Sequence, residues 1–133
     1  MDVVDPGQLD WRKLRDVAAI DTDVLPVAVQ DVDSGAVVMV AYLSREALEE
    51  SVRTGRAVFH STSRDVLHRK GETSGDVLDV IGLRANCELN SVLMLVRKRG
   101  TGACHERDAD GDHRPSCFFR TLEAGARIEL AAS

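Results

Sequence analysis

Val24-Leu25-Pro26-Val27-Ala28-Val29-Gln30 and Val37-Val38-Met39-Val40-Ala41-Tyr42-Leu43 lie on either side of Asp31-Val32-Asp33-Ser34-Gly35. Two β-branched, apolar segments around a turn-forming cluster read as a β-hairpin. Ser44 then offers an N-cap, Arg45 to Thr54 supplies strong helix formers and Gly55 is a C-terminal stop, which predicts a helix over 45–54. The acidic face of that helix, Glu46, Glu49 and Glu50, reads as solvated surface.

Working outward, Ala57 to Ser61 is a short strand candidate and 62–76 reads as a polar connector. Val77 to Leu83 and Ser91 to Arg97 predict two more strands. The unbroken run Val92-Leu93-Met94-Leu95-Val96 suits a central, buried position. A long polar loop follows at 99–116, then a last strand at Phe118 to Arg120 and a short tail element at Ile128 to Leu130. Upstream, Leu9, Trp11, Leu14, Val17 and Ala18 recur at roughly helical spacing, which predicts an amphipathic helix over 9–19 whose role is packing. Neither an internal repeat nor a linker is visible. The expectation is an α+β chain: a compact, strand-rich single domain at 24–122 with two short helices, an N-terminal helical extension at 1–23 and a tail at 123–133.

The 133 residues suit one domain and can bury a core without disulfide staples. The longest apolar run, Val37 to Leu43, falls far short of the ~20 residues that span a bilayer. Met1-Asp2-Val3-Val4-Asp5-Pro6 has no basic or apolar stretch, so no signal peptide is expected and the cytoplasm is the expected location. A net charge of −5 with one Trp, one Tyr and three Phe disfavours a nucleic-acid binder, which needs a basic excess and stacking platforms. A small phosphorylated substrate remains compatible, because a few Arg and Lys can gather locally.

The three cysteines, Cys87, Cys104 and Cys117, form no even-numbered disulfide framework. Each taken alone reads as a small buried apolar residue. Together, and with His105 beside Cys104, they offer the soft ligand set that a zinc ion takes. Lys70-Gly71-Glu72-Thr73-Ser74-Gly75 combines two glycines, two hydroxyls and a lysine, a composition able to cradle phosphate although it is not a Walker A loop.

In combination these residues resemble the phosphoribosyl-AMP cyclohydrolase family of histidine biosynthesis. The stretches that carry the resemblance are Leu25 to Asp31, Met39 to Leu48, Ser63-Arg64, Lys70 to Gly75, Cys87, Ala103-Cys104-His105 and Ser116-Cys117-Phe118, in the family's order over roughly 24–120. The resemblance implies a homodimer whose zinc sites take Cys87 from one chain and Cys104 with Cys117 from the other. It implies hydrolytic opening of the purine ring of N1-(5-phosphoribosyl)-AMP at the N1–C6 bond, with His105 as the catalytic proton handler. It also implies that Ser63, Arg64, Lys70, Glu72, Thr73 and Ser74 bind the substrate and its phosphates, with Arg69 as a further cation.

Three departures qualify the match. Where the family usually carries Asp-Cys-Asp-x-Asp, whose carboxylates bind magnesium, this chain has Asn86-Cys87-Glu88-Leu89-Asn90. One formal carboxylate of three remains, so Asn86, Glu88 and Asn90 are expected to bind magnesium weakly, or with the help of substrate phosphate, or not at all. His60 and His68 stand where the family commonly has Trp. The segment from Glu106 to Pro115, rich in Asp and containing His113, is longer than usual and reads as a solvated charged loop rather than a source of metal ligands. Two alternatives stay open: a paralogue acting on another purine nucleotide, and a metal-binding structural protein without turnover.

Overall fold

The computed structural model describes residues 2–122, so the tail element expected at Ile128 to Leu130 lies outside the described residues. The hairpin forms as expected: β2 (Val24–Asp31) pairs antiparallel with β3 (Val37–Ser44). Its turn is closed by Asp31, whose carboxylate accepts the Ser34 hydroxyl at 2.7 Å. That hydrogen bond holds the Asp31 carboxyl below the usual carboxylate range, aided by the Asp33 and Ser34 amides and the charge of Lys98, against the opposing effect of burial.

The helix α2 (Arg45–Thr54) starts where Ser44 Oγ accepts the Ala47 amide at 3.1 Å and ends at Gly55, which is left-handed at φ 72°. Two further strands, β6 (Leu78–Ala85) and β7 (Val92–Lys98), complete a four-stranded sheet of order β3-β2-β7-β6. β7 is central, parallel to β2 and antiparallel to β6, as its apolar run implies. One face of the sheet (Val27, Val29, Val38, Leu78, Met94, Val96) packs with Ala47 of α2 and with Ala57, Val58 and Phe59 into the core. Ser51, fully buried in α2, accepts the Val58 amide at 2.9 Å and so ties the helix to β4 (Val58–Ser61).

Several expectations need correction. The connector at 62–76 contains a strand, β5 (Val66–Arg69), paired antiparallel with β4. The last strand, β8, is Arg120–Leu122 rather than Phe118 to Arg120, and it pairs parallel with β1 (Asp2–Val4), which the sequence did not suggest. The N-terminal helix α1 covers only Lys13–Ala18, after a 3₁₀ turn at Pro6–Gln8. Trp11 and Leu14 are 74% and 71% exposed, so its apolar stripe is not packed into this chain's core. Glu50 is not plain solvated surface: its carboxylate takes a two-pronged contact from Arg69, at 2.7 and 2.9 Å. No helix among the described residues is long and apolar enough to cross a membrane.

Candidate active site

β5 delivers the chain into the loop Lys70 to Gly75, and β6 leads away from it. Gly71 sits at φ 80° with its Cα pressed against the returning backbone. A Cβ there would stand 2.3 Å from the Val77 nitrogen and 2.4 Å from the Asp76 carbonyl carbon. Only glycine fits such a combination of left-handed backbone and contact. Gly71→Ala is therefore expected to destabilise the protein by about 2 kcal/mol or more. Gly35→Ala is the control: φ is 78° but nothing lies within 4 Å, so backbone strain of ~1 kcal/mol acts alone. Urea unfolding of both variants measures the difference, and equal midpoints would show that the close approach carries no cost.

The glycine turn folds the loop over a cavity of about 420 Å³. Arg64, Lys70, Glu72, Thr73, Ser74 and His105, six of the residues singled out from the sequence, line it together. Ser63 is not in the lining; it lies in the exposed β4–β5 turn, 3.4 Å from Ser61 Oγ. Arg69 borders the cavity but is committed to Glu50, so it is not the free phosphate partner the sequence suggested. His68 also lines the cavity. Partial burial, then the charges of Arg64 and Lys70, hold its imidazole below the ordinary range against the opposing pull of Glu72. The wall that holds His68 is thus cationic, suited to anionic phosphate oxygens. His60 belongs elsewhere: it lines a separate groove of about 740 Å³, where its Nε2 meets Asp65 Oδ1 at 2.7 Å.

Behind the cavity, Lys70 Nζ donates to the Ala103 carbonyl and ties the loop to the residue before Cys104. Cys104 is buried, and its Sγ accepts the Glu106 amide at 3.4 Å. Cys117 faces it: desolvation and a hydrogen bond with the Cys104 thiol push the Cys117 thiol up to about 11, with Lys70 opposing. Two adjacent thiols, one accepting an amide and the other within the field of Lys70, could supply two of the four ligands of a tetrahedral thiolate site.

The amino-acid sequence matches known proteins along most of the chain. The phosphoribosyl-AMP cyclohydrolase family model matches residues 39–119. The chain belongs to the phosphoribosyl-AMP cyclohydrolase family. A protein of that name from Bordetella petrii is 45% identical over 113 residues, covering 85% of this chain and 80% of the relative. Another from Hyphomonas neptunium is 43% identical over 105 residues, covering 79% and 75%. A third from Halorhodospira halophila is 40% identical over 128 residues, covering 95% and 84%.

Within this cyclohydrolase fold the remaining candidates stand apart from the thiol pair. Cys87 is exposed in the β6–β7 turn, and among the described residues no three His, Cys, Asp or Glu side chains gather as a metal-binding group within one chain. The same turn carries Asn86, Glu88 and Asn90, and its polar atoms are cross-linked. Asn86 Oδ1 accepts the backbone amides of Asn90 at 2.9 Å and Ser91 at 3.0 Å. Those two donors fix the orientation of the Asn86 amide, whose Nδ2 then donates to Asn90 Oδ1 at 2.7 Å. Asn90 Nδ2 in turn donates to Glu88 Oε2 at 3.2 Å. Asn86 Oδ1 thus accepts two hydrogen bonds and Asn90 Oδ1 one, so the polar side chains of the turn are tied to one another.

Asp76 and His113 are the residues that sequence reasoning missed as cavity-lining groups. Asp76 follows the loop motif directly and passes for a connector residue, while His113 sits in a segment whose composition reads as solvated.

Proposed function

We propose that this chain hydrolyses the N1–C6 bond of N1-(5-phosphoribosyl)-AMP in a zinc-dependent reaction, at a site completed by a second copy of the chain. That it is a hydrolase of phosphoribosyl-AMP in histidine biosynthesis follows from the family to which it belongs. The observation that carries the finer reading is the junction at Lys70, where a cavity of nucleotide dimensions with a cationic wall at Arg64 and Lys70 backs onto the Cys104–Cys117 thiol pair.

The donor set fits zinc: two thiols converge in one chain, and Cys87 stands exposed and available to a neighbour. Zinc held by the three thiolates would supply Lewis acidity and a hydroxide nucleophile at neutral pH. Arg64 and Lys70 would bind phosphate oxygens, and the Thr73 and Ser74 hydroxyls would orient them. His105 is 91% exposed at its side chain, beside Glu106 at 3.6 Å, where it can exchange protons with substrate and solvent.

Dimerisation is supported by the uncovered sheet face. Val40, Ala28 and Leu93 sit side by side in register across three strands, and Val40 is 54% exposed. A contiguous apolar strip of this kind, with Val40 exposed and Ala28 and Leu93 half-buried, is suited to pack against a second copy. Loss of absorbance change on mixing the purified, zinc-loaded chain with N1-(5-phosphoribosyl)-AMP would refute the activity.

Magnesium binding at Asn86, Glu88 and Asn90 is proposed to be weak without substrate. The two amide oxygens are engaged within the turn, and Glu88 brings the cluster's lone formal charge. Magnesium binds through carboxylates and phosphates, so substrate is expected to strengthen it and Glu88→Gln to weaken it. Replacing residues 86, 88 and 90 by Asp should raise free-enzyme affinity by about tenfold or more. Titration calorimetry decides: tight binding by the unliganded wild type would show that other groups, such as Asp108 to Asp112, supply the missing ligands.

A further inference from the structure

The insert between Cys104 and Cys117 is folded, not splayed into solvent. Arg107 and His113 form an antiparallel bridge. Asp108 Oδ1 accepts the amides of Asp110 at 2.9 Å and Asp112 at 3.1 Å. The Arg114 carbonyl accepts from both Ala103 and Cys104. This return path lays His113 on Gly102, where a Cβ would stand 2.4 Å from the His113 Cβ. Glycine alone permits that approach. At the end of it, His113 Nδ1 meets Asp76 Oδ2 at 2.5 Å. Asp76 is buried at 8% exposure and the His113 side chain is 19% exposed. Both line the same cavity as His105, His68, Lys70 and Arg64.

A carboxylate on Nδ1 fixes the tautomer and ring orientation of an imidazole and leaves Nε2 to exchange protons. A ring tethered only to stabilise a surface loop needs neither a buried carboxylate nor a place in the cavity wall. We propose that the Asp76–His113 pair is a second proton carrier of the ring-opening site, an inference that rests on the function proposed above. Opening the ring adds one water. Its oxygen bonds C6 through a lone pair and becomes the carboxamide carbonyl. The N1–C6 electron pair leaves with N1, and the two protons of water end on the exocyclic nitrogen and on N1. No group is oxidised or reduced. His113 Nε2 delivers the proton that N1 needs as the bond breaks, and Asp76 acts as a positioning residue through Nδ1.

The test is turnover of N1-(5-phosphoribosyl)-AMP by His113→Asn, His113→Ala and Asp76→Asn, with zinc content and melting temperature measured on each. Asn keeps a donor for Asp76 but cannot give up or take a proton near neutral pH. His113→Asn and His113→Ala should both lose kcat by ~100-fold with KM changed little, the usual scale for one proton-transfer group. Exogenous imidazole should restore part of the His113→Ala loss and none of the loss in a zinc-ligand variant. Asp76→Asn should cost ~10-fold in kcat, because the ring remains but its orientation is looser. A His113→Asn chain within twofold of wild type would reduce the pair to a loop tether and overturn the inference, as would His113→Ala unresponsive to imidazole while folded and zinc-loaded. A wild type that fails to open the ring at all would instead overturn the proposed function, and this inference with it.

Discussion

Cys104→Ser is expected to abolish tight zinc binding and to lower turnover by ~10³-fold or more. Cys104 is buried, takes an amide N–H on its sulfur at 3.4 Å and faces the Cys117 thiol across the site. A serine oxygen is a hard donor and stays protonated at neutral pH, so it replaces neither the charge nor the softness of a thiolate. The tetrahedral set is then incomplete, and structural-grade affinity is lost with it. The local backbone is held independently, since the Cys104 and Ala103 amides both bond the Arg114 carbonyl and Lys70 bonds that of Ala103. The variant should thus retain its fold. The same outcome is expected for Cys87→Ser and Cys117→Ser. Elemental analysis after dialysis against a chelator reads zinc directly, and absorbance reads turnover. Full zinc occupancy in any one of the three would remove that residue from the ligand set.

What could be read from the sequence follows from how local the determining interaction is. The β2–β3 hairpin and α2 are legible because their signals are contiguous: a Ser44 cap three residues from the amide whose hydrogen bond it accepts, a glycine stop, an apolar run. β5 is hidden because Val66-Leu67-His68-Arg69 pairs only with β4 and carries polar groups toward the cavity. The periodicity over 9–19 overstated α1, since Leu9 and Trp11 fall before its first turn and remain exposed. In the site, the Lys70 to Gly75 loop and the Cys104-His105 pair were legible as motifs. The Asp76–His113 contact was not, because it joins residues 37 positions apart through an approach that only Gly102 allows. Composition alone read the Glu106 to Pro115 segment as solvent-facing. The commitment of Arg69 to Glu50 was equally invisible, since it joins residues 19 positions apart.

Mixing two inactive chains should restore activity if the site is shared between copies. A Cys87→Ala chain keeps Cys104 and Cys117, and a Cys104→Ala chain keeps Cys87. Alone, each forms homodimers in which both sites lack a ligand. Exchanged at equal concentration, half of the dimers are mixed, and each mixed dimer has one intact site and one site missing two ligands. The mixture should then recover about one quarter of wild-type turnover and zinc, from a background ~10³-fold lower. The motivation is geometric: Cys104 and Cys117 converge in one chain, while Cys87 stands exposed in the β6–β7 turn, outside any three-residue metal cluster among the described residues. If all three thiols instead came from one chain, every chain in the mixture would be defective and no exchange could repair it. Subunit exchange is verified separately with a tagged chain. A mixture no more active than the sum of its parts, with exchange confirmed, would place all three ligands in a single chain. It would then require the β6–β7 turn to move toward the Cys104–Cys117 pair when zinc binds.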